Sequence, residues 1–394
     1  MPPATTSSPG APTIAFTGGG TGGHVYPGLA VAQALRERGF SGRIAWIGSK
    51  KESDRVAVEE AGFEFIAVPS GKLRRELSPA NLVDAFRVLA GYAAARRALK
   101  ALRPALLFSK GGYVSVPPCA AAAALGIPYF THESDLTPGL ATRLNARRAA
   151  KIILSYEETR GLLPAEARGR AVVAGNPIRP AIRRGDSGRG RALLGVPEGV
   201  PVVFFLGGSQ GARQVNELAL ASLPALSDAA FVVHQTGGIA PTDGFAAGPA
   251  AEAGREAALA PAPSLPASRY RSFQYIREEM PDLLAAADLV VGRAGAGTLW
   301  ESASLGKPML LVPLCGAGTR GDQVDNAALF ERAGAATSLV GADATPERLV
   351  KEILGLLGDK ARLGRMGESA RALAGADAAS AIADLILRTV META

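Results

Sequence analysis

Cysteine is scarce. Cys119 and Cys315 are the only two in 394 residues and lie too far apart in sequence to form a disulfide framework, so a reducing compartment is the default. Long apolar runs are missing too: the stretch 118–130 is mostly alanine and falls short of the ~20 residues of a membrane span. The start has no charged segment followed by an apolar one. Residues 1–12 therefore read as a disordered leader, not a signal peptide. No glycine loop is followed by a Walker lysine, which argues against ATP hydrolysis. No loop is a clean GxGxxG with an acidic residue at the expected distance, which disfavours NAD. No Asp-x-Asp pair occurs, so no metal ligand and no cofactor are expected. The net charge of +7 suits anionic partners, either lipid or phosphorylated substrate. With no zinc-ligand spacing, no helix-turn-helix and no basic segment interleaved with aromatics, nucleic acid is not expected.

What is present is glycine, 47 residues of it, placed at the ends of strand-like runs. Thr13 to Thr17 reads as a strand, Gly18 to Gly23 supplies five glycines and one threonine, and an apolar helical spacing follows Pro27. Such turns let backbone N–H groups approach an anion at a helix start. His24 lies where loop becomes helix and is the candidate general base; the alternative is a hydrogen-bonding turn histidine. Strand and helix patterns then alternate, which argues for a parallel α/β architecture. The runs Arg43–Gly48, Phe65–Val68, Ala105–Phe108 and Ile127–Phe130 read as strands, and Lys151–Leu154 as the last of the first half. Ala171 to Arg179 reads as a connector with a Gly-Asn-Pro turn.

A second start follows. Pro201–Leu206 is a strand and Gly207–Gly211 a glycine loop, so the chain reads as two related nucleotide-fold halves with a ligand between them. Further strands are expected at Ala229–His234, Ser272–Tyr275, Leu289–Gly292 and Pro308–Pro313. Arg293 to Glu301 forms a third glycine loop entering a helix, 319–326 a polar loop and 237–266 a loose excursion. His132 beside Glu133 reads first as a satisfied polar pair and second as a substrate-orienting one, and His234 as structural. Glu301 suits sugar hydroxyls, or is simply an acidic residue early in a helix. Basic residues crowd the helix opened by Ser78-Pro79, from Lys72 to Arg103. That segment is read either as a surface helix with a buried Leu/Phe stripe or as a contact for anionic lipid.

Seven runs in order, GGGTGGHVYPGLAVA, GGYVSVP, HES, GNPIR, GGSQGARQVN, RAGAGTLWE and GDQVDNA, span about Thr13 to Asn326. Together they resemble the MurG family, bacterial transferases that move N-acetylglucosamine from UDP-GlcNAc to lipid I, the undecaprenyl-pyrophosphoryl-MurNAc-pentapeptide, giving lipid II and UDP in peptidoglycan synthesis. The resemblance implies a GT-B fold: two Rossmann-like domains with parallel sheets facing across a cleft, here 13–178 and 179–370, with 371–394 as a helix returning to the first. It implies an inverting transferase with His24 as base. Donor contacts would come from Thr21, Gly22, Gly23, Asp135, Arg179, Ser209, Ile276, Ala296, Gly297, Thr298, Leu299, Trp300, Glu301 and Gln323. Gly19, Gly20, Tyr113, His132 and Glu133 would face the acceptor. Lys72, Arg74, Arg75, Leu77, Leu82 and Phe86 would meet an anionic membrane, placing the protein peripherally on the cytoplasmic face of the cell membrane. Two positions depart from the family: many members carry Asn where Asp135 stands and Ser where Trp300 stands. Other readings are a related GT-B enzyme (a diacylglycerol glycosyltransferase or a UDP-GlcNAc epimerase) and a non-catalytic UDP-sugar-binding module.

Overall fold

The computed structural model describes residues 11–71, 79–207, 212–238, 269–316 and 319–393, with the backbone alone at 79–83 and 393. The chain divides into two compact units, 1–179 with 376–394, and 180–375. The return to the first unit begins at Ala376 and not at residue 371, because the helix 360–374 belongs wholly to the second.

The first unit holds strands β1 (Thr13–Thr17), β2 (Arg43–Gly48), β3 (Glu64–Ala67), β4 (Leu106–Ser109), β5 (Tyr129–Glu133), β6 (Lys151–Leu154) and β7 (Ala171–Val173). Between them run α1 (Gly22–Glu37), α2 (Glu52–Glu60), α3 (Pro79–Leu102), α4 (Val116–Ala124) and the short α5 (Leu140–Asn145), α6 (Thr159–Leu162) and α7 (Ala165–Arg168). The sheet order is β3-β2-β1-β4-β5-β6-β7, with every pairing parallel. Alternation along each strand divides two cores. Phe16, Phe108 and Phe130 point to the α1 side, and Ala15, Leu107 and Tyr129 to the other. Phe16 stacks on Trp46, whose indole N–H donates to the Gly18 carbonyl at 3.0 Å. The first glycine loop is thereby tied to the core.

The second unit contains α8 (Ser187–Leu194), β8 (Val202–Leu206), α9 (Arg213–Leu226), β9 (Phe231–Gln235), β10 (Tyr270–Phe273), α10 (Met280–Ala286), β11 (Leu289–Gly292), α11 (Ala296–Ser304), β12 (Met309–Leu311), α12 (Asp322–Arg332), β13 (Ala336–Ser338), α13 (Pro346–Gly358) and α14 (Lys360–Ala374). Its sheet order is β10-β9-β8-β11-β12-β13, again parallel. The last helix, α15 (Ala378–Thr393), returns to the first unit. It buries Ile382, Ala383, Ile386 and Val390 in the core shared with α1, and an Arg38–Asp384 ion pair adds to the contact.

Four expectations need correction. Lys151–Leu154 is not the last strand of its half, since Ala171–Val173 pairs beyond it as β7, a three-residue edge too short to show a period. β13 was likewise too short to read. The supposed polar loop 319–326 is largely the first turn of α12, begun after Gly321 in a left-handed conformation. α1 starts at Gly22, ahead of Pro27, because that proline sits in its early turns. Finally, α3 does not bury Phe86 and Leu89 of its Leu/Phe stripe. Asp84, Gly91, Ala95, Leu99 and Leu102 face inward, while Phe86 and Leu89 are 65% and 64% exposed. The excursion 237–266 lies outside the described residues from 239 onward.

Candidate functional site

In both sheets the strand order reverses at the first strand of the unit, between β1 and β4 and between β8 and β11. Ligands of open α/β sheets bind off the carboxyl ends at such a point. In the first unit three strands end together, with Thr17 beside Ser109 and Ser109 beside Thr131. The next residues are Gly18–Gly20, Lys110–Gly112 and His132–Asp135, so three of the sequence motifs converge there.

His24 is in the first turn of α1. Its backbone N–H bonds the Thr21 carbonyl at 3.0 Å, and its Nδ1 lies 2.8 Å from Thr21 Oγ1. The ring rests on the Gly111–Gly112 backbone. A Cβ at Gly112, whose φ is +76°, would lie 3.2 Å from three ring atoms. Only glycine permits both that conformation and that approach. Gly20, at φ +86°, is pressed in the same way by Tyr113, whose ring would be 2.8 Å from an added Cβ. Thr21 and Gly22 are half-buried and Gly23 is exposed.

His132 and Glu133 are neighbours in sequence but not a pair, because successive strand residues point to opposite faces. Both are buried. His132 Nε2 meets the Gly175 carbonyl at 3.0 Å. A carbonyl only accepts, so Nε2 carries the hydrogen and Nδ1 accepts from the Lys110 ammonium at 3.1 Å. Burial, then Lys110, hold this imidazole well below its usual pKa. Glu133 faces the following loop, where Oε1 accepts from the N–H groups of Ser134 (2.9 Å) and Asp135 (3.1 Å) and Oε2 from Gly139 (3.0 Å). Burial, then Asp135, raise its pKa. Both residues brace the carboxyl end of the first sheet. Asp135 itself is half-buried. Arg179, at the end of the unit, places its guanidinium 6.0 Å from the Tyr26 ring centroid.

In the second unit α11 presents an open end. Gly295 and Gly297 have nothing within 4 Å of an added Cβ. Ala296, Gly297, Thr298 and Glu301 are half-exposed, and Gly297 and Glu301 share one face at i, i+4 spacing. Leu299 and Trp300 point the other way and are buried. As side chains they are core, so Trp300 does not crowd the open face. Gln323 Oε1 accepts from the Leu314 N–H at 2.9 Å, which ties α12 to the loop after β12. Ile276 is buried and donates its N–H to Gln235 Oε1 at 3.2 Å. Ser209 and the basic residues Lys72, Arg74 and Arg75 lie outside the described residues, as does Leu77; of Leu82 only the backbone is described.

Two residues of the first site escaped sequence reasoning. Asp54, buried in the first turn of α2, accepts from the Gly20 N–H at 2.6 Å and the Ser49 hydroxyl at 2.9 Å. No local pattern signals it. Lys110 is 1% exposed yet bears an ammonium. A lysine between a buried strand and a Gly-Gly pair was the available sign. Among the described residues no cluster of His, Cys, Asp or Glu could hold a metal ion.

Comparison with known proteins agrees with this layout. Residues 14–154 match the glycosyltransferase family 28 N-terminal domain and 202–385 its C-terminal domain. A Treponema denticola relative named UDP-N-acetylglucosamine–N-acetylmuramyl-(pentapeptide) pyrophosphoryl-undecaprenol N-acetylglucosamine transferase is 44% identical, covering 95% of this chain and 96% of its own. The crystal structure of Acinetobacter baumannii MurG superposes with a TM-score of 0.68 at 25% identity, over 96% of this chain and 99% of that one. A UDP-GlcNAc 2-epimerase from Neisseria meningitidis shares the fold alone, with a TM-score of 0.61 at 12% identity over 96% and 99% of the two chains. The GT-B architecture read from the motifs is present as two parallel α/β sheets, and the chain belongs to the MurG family of family 28 glycosyltransferases.

Proposed function

We infer that the protein transfers N-acetylglucosamine from UDP-GlcNAc to a polyprenyl-pyrophosphoryl-MurNAc-pentapeptide, releasing UDP and building a peptidoglycan precursor. The full-length likeness to the Treponema denticola transferase supports the substrates. The observation that carries the mechanism is His24, oriented by Thr21 Oγ1 at 2.8 Å above the Gly111–Gly112 backbone. With Nδ1–H donated to Thr21, Nε2 is the base. It takes the proton of the muramyl hydroxyl as that oxygen attacks the anomeric carbon, and the C–O electron pair leaves with UDP, inverting the centre. The open N-terminus of α11 receives the diphosphate, Glu301 the ribose hydroxyls and Arg179 further phosphate charge, so no metal is called upon.

The same reading places the protein peripherally on the cytoplasmic membrane face. Phe86 and Leu89 stand out from α3 among Arg87, Arg97 and Lys100, and this patch meets anionic lipid. No helix among the described residues is long and apolar enough to cross a membrane. The deciding experiment supplies labelled UDP-GlcNAc and a lipid I analogue to the purified protein. Labelled disaccharide lipid is expected. Turnover of the donor alone would instead indicate an epimerase, and donor binding without turnover a sugar-nucleotide sensor.

A further inference from the structure

Lys110 is the group left without a task. It ends β4, buried between Gly18, the Gly111–Gly112 turn and β5. Its ammonium donates to His132 Nδ1 at 3.1 Å and to Ser134 Oγ, whose hydroxyl donates on to Asn176 Oδ1 at 3.1 Å. Three N–H groups thus have two acceptors among the described residues. A buried, incompletely satisfied cation costs stability, and an apolar side chain of similar length would pack there more cheaply. Its retention calls for another reason.

That reason is in the loop it grips. Ser134 separates Glu133 and Asp135, two carboxylates at the strand end. A carboxylate there, close to where diphosphate-bearing substrates gather, repels them unless a cation offsets it. We propose that Lys110 is a positioning residue that forms a compensated pair with Asp135, anchoring the loop after β5 and cancelling the charge that Asp135 brings to the substrate site. The titratable groups acting on this ammonium are His132 and Glu133 at the end of β5 and Asp135 on the loop after it. Burial brings Lys110 down to about 8, while Glu133 and Asp135 pull in the opposite direction. The charge therefore disappears at mildly alkaline pH.

The inference rests on the transferase reading, and wild-type turnover of UDP-GlcNAc with the lipid I analogue is its control: without that turnover the function fails, whatever Lys110 does. Lys110→Met, Asp135→Asn and the double variant are compared by kcat and KM across pH, with melting temperature and UDP binding measured alongside. Lys110→Met is expected to lower kcat/KM by roughly tenfold to a hundredfold without lowering the melting temperature. In the Asp135→Asn background the same change should cost less than about threefold. The wild-type rate should fall above about pH 8. That limb should move to lower pH in Asp135→Asn, which removes a charge holding the proton on Lys110, and should be absent from Lys110→Met. Equal losses from Lys110→Met in both backgrounds, or an unmoved alkaline limb in Asp135→Asn, would overturn the pairing. The Asp135→Asn profile decides the matter even if Lys110→Met does not fold.

Discussion

At the scale of single residues the first site depends on which hydrogen bonds are already committed. His24 can serve as base at Nε2 only in the tautomer whose Nδ1–H is given to Thr21. His24→Ala should lose about 10²–10⁴-fold in kcat and retain UDP binding. Thr21→Val should keep the ring but not its orientation, giving a smaller loss of kcat with the donor KM unchanged. Steady-state kinetics beside UDP titration separates these outcomes. Near wild-type kcat in His24→Ala would remove the base assignment. Asp54 is a second commitment. Truncation to Ala leaves the Gly20 N–H and the Ser49 hydroxyl without their buried acceptor, at about 1–3 kcal/mol. A lower melting temperature and a raised acceptor KM are expected, again with UDP binding intact.

At the scale of elements, α3 shows how far periodicity reaches. Leu82, Val83, Phe86, Leu89 and Ala90 form an apolar stripe, and a stripe ordinarily faces a core. In the fold the helix buries instead its small-residue face, with Gly91 and Ala95 close to the chain beneath: an added Cβ at Gly91 would lie 2.2 Å from the Pro69 carbonyl oxygen. Small residues permit that approach at this level of the helix, and Phe86 and Leu89 are left outside. The Phe86→Ser/Leu89→Ser variant should keep its melting temperature but lose cosedimentation with anionic vesicles, each charge nearby contributing roughly 1 kcal/mol at low salt. Unchanged cosedimentation would refute the patch. α11 teaches the same lesson in reverse. The motif Ala296 to Glu301 was legible as a helix start, but only packing separates the open side, Gly297 and Glu301, from the buried side, Leu299 and Trp300.

At the scale of the whole molecule, each unit has its own sheet, its own reversal of strand order and one tryptophan: Trp46 in the first, Trp300 in the second. His234 links the second unit's stability to pH. It is buried, with Nε2 3.1 Å from Asn216 Oδ1 and Nδ1 3.1 Å from Tyr270 Oη. Burial depresses its pKa from 6.5 to about 4. Between these values the unfolded chain binds the proton more readily than the folded one. The stability contributed by the neutral ring is therefore complete above about pH 6.5 and is lost as pH falls toward 4, by an order of 3 kcal/mol. Urea unfolding followed by Trp300 fluorescence in a Trp46→Phe background should show this loss, and His234→Gln should flatten it. An equal slope in His234→Gln would assign the pH dependence elsewhere.

The sequence by itself determined the architecture and the place of its loops. Strand, glycine turn and helix are local patterns, set by backbone conformation and side-chain spacing within a dozen residues, so β1, β8 and β11, the presence of a helix beyond each and His24 could all be read in advance. Tertiary structure alone decided which distant residues meet there. Asp54 reaches Gly20 across 34 positions, Lys110 reaches His132 across 22, and His132 reaches Gly175 across 43. It also decided which face of α3 and of α11 turns inward, and that His132 and Glu133 part company. Those outcomes depend on the fit of surfaces far apart in the chain, where burial and close approach override local spacing.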